Sequence, residues 1–164
     1  MHIEIDQSGR FEATKDDTVI AFSNGTSFSV LIPAQVKRYC ILTLREAGIS
    51  GPTFYLQLFT ACLFFLLKGH IKKNTQITID IEYTGKDRQI KEYLINLFIR
   101  MGKTIDPDMI DFRRIGKKSN AHILALSTWR GEKKAGLVLT ADILLRIFRP
   151  TKKSGIRRLA EKTQ

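Results

Sequence analysis

Two short segments alternate apolar and carboxylate side chains with the period of a β-strand, and no other feature restricts the fold of this chain as much. In residues 2–9 (HIEIDQSG), Ile3 and Ile5 fall on one face and Glu4 and Asp6 on the other. In residues 76–83 (QITIDIEY), Ile77, Ile79 and Ile81 share the inward face, with Thr78, Asp80 and Glu82 opposite. Both segments read as strands with one face against a core. Set side by side, they gather several carboxylates, which repel one another unless a cation neutralises them. A divalent-metal site is one reading. The plain alternative is a pair of half-exposed antiparallel strands whose outer face is only solvated.

The rest of the chain supplies a definite order of elements. Strands are expected at residues 18–23 and 27–32 across the Asn24-Gly25 turn, which completes a three-stranded meander. Pro33 opens a helix whose stripe Val36, Tyr39, Cys40, Thr43 and Leu44 ends near Gly48, and a second helix follows Gly51-Pro52 to about Lys68. After the strand at 76–83, a helix begins near Asp87 and carries Ile90, Tyr93, Leu94, Leu97, Phe98 and Met101 on its apolar face. Residues 109–115 alternate as a further strand, Ser119 caps a helix through Trp129, and Thr140 caps a shorter one to Phe148. The expected fold class is α/β, a mixed five-stranded sheet flanked by helices. Residues 1–130 form its core, 131–148 a C-terminal helical extension and 149–164 a basic, flexible tail without a core pattern.

Charge and cysteine usage narrow the function classes. The chain carries a net +11, yet residues 1–32 hold only Arg10 and Lys15 against five acids, a local net of −3 that leaves +14 elsewhere. An acidic patch in a basic body suits a metal-dependent protein acting on a polyphosphate backbone, and nucleic acid is the partner expected. Two cysteines, Cys40 and Cys62, sit in apolar helical patterns rather than at metal-ligand spacing, which fits a reducing compartment. A cytoplasmic protein without a secretory leader is expected. The apolar run 54–67 would span about 21 Å as a helix, short of the ~30 Å hydrocarbon core. It is read as a buried helix, with a homodimer contact as the alternative, and no membrane partner is expected.

The order of elements, with an acid on the first and fourth strands, resembles the ribonuclease H-like nuclease superfamily. Ile5-Asp6-Gln7-Ser8-Gly9 is similar to the Asp-x-Ser-Gly openings of several members. Ala121-His122-Ile123-Leu124-Ala125 resembles the Ala-Asp-x-Leu-Ala motif at the start of the last core helix, with His in the Asp position. Piwi domains of Argonautes and some Holliday-junction resolvase-like members also place a His there, and imidazole serves at divalent-metal sites. Ribonuclease H proper has a Glu early in its first long helix; this chain has Gln35 there and no carboxylate until Glu46, which points away from RNA–DNA hybrid specificity.

That resemblance implies a nuclease using Mg²⁺ or Mn²⁺, or a catalytically inactive nucleic-acid-binding module of the same fold. Asp6, Asp80, Glu82 and His122 are its implied metal and catalytic residues, with either Asp80 or Glu82 completing the set. The carboxylates of Asp6 and of Asp80 or Glu82 should then lie within about 7 Å of each other. Arg113, Arg114, Lys117 and Lys118 would contact phosphates near the cut, or else form the solvated face of an edge strand. Lys152, Lys153, Arg157 and Arg158 of the tail are further candidate nucleic-acid contacts. Tyr83 and Trp129 stack on bases or pack, and His2 and His70 are expected as solvated surface residues.

Overall fold

The structure, a computed structural model, describes residues 1–49, 51 and 53–148. Strands β1 (His2–Ser8), β2 (Thr18–Asn24) and β3 (Thr26–Ile32) form the antiparallel meander. Gly25, at φ 77°, turns β2 into β3 in a backbone conformation that a side chain would oppose. Strand β4 (Gln76–Asp80) runs parallel to β1, with Ile3 opposite Ile77 and Ile5 opposite Ile79. Strand β5 (Ile110–Arg113) continues the sheet parallel to β4, and the two-residue β6 (Leu137–Val138) joins the far edge parallel to β3. The resulting order is β5-β4-β1-β2-β3-β6, a mixed α/β sheet consistent with a ribonuclease H-like fold. Its sixth strand goes beyond the five expected, because two residues are too few to carry a periodicity.

Helices α1 (Ala34–Glu46), α2 (Thr53–Leu67), α3 (Asp87–Arg100) and α5 (Ala141–Phe148) accompany one face of the sheet, where Ile3, Ile5, Ile20, Phe22, Ile77 and Ile79 enter a single core. Helix α4 (Asn120–Trp129) packs on the opposite face over β1, β2 and β3. It lies close there because Ala125 meets Val19 and Ala21, all small or short side chains. The inward-outward alternation of β1 therefore points its isoleucines into the main core and Asp6 toward α4.

Two expectations about strand ends need amending. The fourth strand stops at Asp80 rather than running to Tyr83, so Glu82 lies in the loop after it. Strand β5 spans four residues, leaving Arg114 and Ile115 outside it. Helix α2 is apolar on every side because its own chain covers it: Phe54, Leu56 and every residue from Leu58 to Leu67 are buried. Each fully buried Phe or Leu contributes about 2 kcal/mol, and the buried helix expected over 54–67 is the one that forms. Strand β6 and helix α5 connect residues 131–148 to the same sheet and core, with Leu144 and Ile147 buried. The basic segment 149–164, with Lys152, Lys153, Arg157 and Arg158, lies outside the described residues. Among the described residues no helix is long and apolar enough to cross a membrane.

Candidate metal centre

The carboxylates collect where β1 and β4 end. Parallel pairing starts at His2 opposite Gln76 and carries both strands in the same direction, so Asp6 and Asp80 project from neighbouring strands on the α4 side of the sheet. Glu82, two residues past β4, folds back to the same place. One carboxylate oxygen from each of Asp6, Asp80 and Glu82 lies within 4.8 Å of the others. Both fourth-strand acids reach Asp6, where the sequence left a choice between them.

Two of the three carboxylates are held by hydrogen bonds. Asp6 is buried, and its Oδ1 accepts from the Gln7 amide at 2.7 Å while its Oδ2 meets His122 Nδ1 at 2.6 Å. Asp80 Oδ1 accepts from the backbone amide of Ile115 at 2.6 Å, which ties the loop after β5 to the cluster. His122 is brought in by α4: the Ser119 hydroxyl caps the helix by accepting from the His122 amide at 3.1 Å, and the small Ala121 and Ala125 set the helix close against the sheet. His122 stands outside the three-carboxylate group and bonds to one of its members.

Electrostatics record the crowding. Burial pushes the Glu82 carboxyl up to about 7, helped by the charges of Asp6 and Asp80 and by a hydrogen bond with Asp6, while Arg10 pulls it down. The Asp6 carboxyl is also raised, chiefly by burial, against the opposing pull of the Gln7 amide and the His122 ring. Three carboxyl groups so close resist full ionisation unless positive charge joins them. The donors are all hard oxygens, the set that Mg²⁺ and Mn²⁺ prefer. On that donor chemistry the residues fit a divalent cation.

The other candidates are distributed around this centre. Arg113 sits on the edge strand, largely exposed, and pairs with Asp111 at 2.6 Å; Arg114, Lys117 and Lys118 are exposed on the loop that leads to α4. Trp129 is part-exposed, and its Nε1 donates to the Asp17 carbonyl at 2.8 Å, which makes it a fastening of the loop between β1 and β2. Tyr83 packs against Phe59, with its hydroxyl buried. His2 is exposed, as expected of a surface residue, whereas His70 is half-buried. His2 Nε2 bonds to Thr78 Oγ1 at 2.8 Å, and His70 stacks on Phe28 with ring centroids 4.2 Å apart. Cys40 and Cys62 are free and buried.

Sequence reasoning missed the Gln7 and Ile115 amides that bond the carboxylates, which carry no side-chain signature, and, apart from the centre, the burial of Lys37, of which its charge gave no warning. Lys37 is 0% exposed; its Nζ donates to the Arg10 carbonyl at 3.1 Å, the Ala13 carbonyl at 2.8 Å and Thr18 Oγ1 at 2.9 Å. Compared with known proteins, the chain matches no family model, no curated protein and no solved structure. The reading of the centre therefore rests on its geometry.

Proposed function

We propose that the protein is a metal-dependent nuclease that hydrolyses phosphodiester bonds of DNA or RNA. One observation carries this reading: the Asp6, Asp80 and Glu82 oxygens converge within 4.8 Å of one another, at the ends of the paired parallel strands of a ribonuclease H-like sheet. The His122–Asp6 hydrogen bond supports it further, since His at this point of the last core helix is the pattern of Piwi-like and resolvase-like members of that superfamily. Asp6, Asp80 and Glu82 would hold the cation. When bound, Mg²⁺ or Mn²⁺ supplies Lewis-acid polarisation of a phosphate oxygen and acidifies a water.

The chain's own groups have distinct parts. Glu82, with its carboxyl near 7, gives up its proton as a cation arrives, so cation affinity rises with pH through that region. Asp6, when ionised, accepts a hydrogen bond from His122 Nδ1–H, which orients the ring with its lone pair at Nε2. Nε2 has no hydrogen-bond partner among the described residues and is the atom able to take a proton from an attacking water. Arg114, Lys117 and Lys118 provide the positive rim that a phosphate backbone would follow.

The test pairs Mn²⁺ titration with cleavage of labelled single strands, duplexes, RNA–DNA hybrids and four-way junctions. The parent should bind Mn²⁺ and cut at least one of these, and Asp6→Asn should lose both properties. Nucleic-acid binding that ignores both divalent cations and Asp6→Asn would identify a catalytically inactive binding module instead.

A further inference from the structure

The parallel pairing of β1 and β4 reaches Ile5 opposite Ile79, one residue before Asp6 and Asp80. A single stretch of chain, residues 115–122, is bonded to both of those carboxylates. At its start the Ile115 amide donates to Asp80 Oδ1 at 2.6 Å. At its end His122 Nδ1 meets Asp6 Oδ2 at 2.6 Å. Between them the Ser119 amide donates to the Gly116 carbonyl at 3.3 Å, and the Ser119 hydroxyl accepts from the His122 amide at 3.1 Å. These contacts close a circuit that runs from Asp80 through the loop and the first turn of α4 to Asp6, and back across the paired strands. Gly116, at φ 85°, takes the left-handed turn that this path requires directly after Ile115. Ile115 itself is half-buried, while Arg114, Lys117 and Lys118 around it are exposed.

The two ends of the circuit are held by different means. His122 bonds Asp6 through its side chain, whereas Ile115 bonds Asp80 through its backbone alone. That bond is the one hydrogen bond made by the Asp80 side chain among the described residues. Without it the carboxylate would sample its other rotamers, at an entropic cost to any ligand that must select one of them. An amide takes one of about four acceptor positions on a carboxylate and leaves the others for a cation.

We propose that Ile115 is a positioning residue of the metal centre: its amide fixes Asp80 as a preset ligand, and the bond joins cation binding and the order of the loop over residues 114–119 in one linked equilibrium. This rests on the metal reading of the centre and deepens the nuclease proposal. Groups that hold a ligating side chain commonly govern metal affinity by about 10–100-fold. Linkage is reciprocal, so the factor that the Ile115 bond adds to cation affinity is the factor that a cation adds to the stability of that bond. A bound cation therefore firms the backbone that carries Arg114, Lys117 and Lys118.

Mn²⁺ affinity, read by electron paramagnetic resonance, and hydrogen exchange over residues 114–119, read by mass spectrometry, supply the test on the full chain. In the parent, saturating Mn²⁺ should slow exchange at Ile115 about tenfold. Ile115→Pro, which lacks the amide hydrogen, should bind Mn²⁺ about tenfold more weakly, whereas Ile115→Ala, which keeps it, should bind as the parent does. Asp80→Asn retains a carbonyl oxygen for the Ile115 amide and should preserve its protection in EDTA, and Asp80→Ala should lose it. An Ile115→Pro variant that melts like the parent and binds Mn²⁺ equally well would overturn the proposal. Exchange at Ile115 that is indifferent to bound Mn²⁺ would overturn it too, and this measurement on the parent decides the matter if the proline variant does not fold. A parent that shows the Mn²⁺ signature but cuts none of the labelled nucleic acids would end the nuclease reading and leave the positioning role standing. A parent that cuts while Ile115 is indifferent would do the reverse. A parent that binds no Mn²⁺ would end both.

Discussion

Removing the charge of Glu82 should stabilise the metal-free protein. Its carboxyl is raised from the usual 4.5 to about 7 by burial beside Asp6 and Asp80, so the folded state prefers it protonated. A group raised in this way contributes stability that is fully present below about 4.5 and is lost as pH climbs through about 7. A shift of that size corresponds to about 3 kcal/mol, and because Glu82 is only partly buried, about 2 kcal/mol is the realistic figure. Glu82→Gln keeps the shape and hydrogen-bonding capacity while abolishing the charge. In EDTA at about pH 8 the variant should therefore be about 2 kcal/mol more stable than the parent, or about 4–8 °C higher in melting temperature. Near pH 4.5 the two should coincide. Thermal and urea denaturation across this range, with and without Mn²⁺, make the measurement. Mn²⁺ should raise the parent's stability above about pH 7 and do much less for Glu82→Gln, since the ion replaces the missing counter-charge. A variant that is no more stable than the parent at high pH in EDTA would refute the picture of crowded, mutually opposed carboxylates.

Three further outcomes follow from the same contacts. Gly9→Ala should destabilise the fold by at least about 2 kcal/mol, since a Cβ at φ 75° would strike the Asp17 carbonyl and the Trp129 indole; urea denaturation reads this directly. Lys37→Met should cost about 1–3 kcal/mol by removing the ammonium that joins the Arg10 and Ala13 carbonyls to Thr18 Oγ1, and amide hydrogen exchange should quicken across residues 10–18 rather than throughout. Deleting residues 149–164, with six Lys or Arg against one Glu, should leave the melting temperature unchanged while weakening nucleic-acid binding and flattening its salt dependence.

The parts of this structure that declare themselves in sequence are those governed by periodicity. Ile3 and Ile5 against Asp6, and Ile77 and Ile79 against Asp80, identify two strands and the face on which their acids meet, because alternation is a direct image of the pleat. Ser119 and Thr140 likewise mark helix starts through a chemistry that is local. The end of β4 was not legible: Ile81 and Glu82 continue the alternation of residues 76–80, and only the tertiary course of the chain breaks it. That break lets Glu82 join Asp80 in the cluster. Lys37 was hidden for a related reason. A charged residue within a helical stripe reads as solvated, and its burial depends on two carbonyls of a distant loop and the Thr18 hydroxyl of β2, which no local pattern encodes.

The two borders of the sheet carry a consequence for how this protein can associate. An open sheet invites a neighbouring chain to add a strand wherever a long run of backbone donors and acceptors is left unpaired. Here one border is the four-residue β5, bearing the Asp111–Arg113 ion pair, and the other is the two-residue β6. Among the described residues, neither of these two strands by itself presents a run long enough for an incoming segment to gain the hydrogen bonds that would offset its ordering. Brevity and charge blunt the sheet at β5 and β6, while residues 26–29 of β3, beyond the reach of β6, are the stretch of border without a strand partner among the described residues.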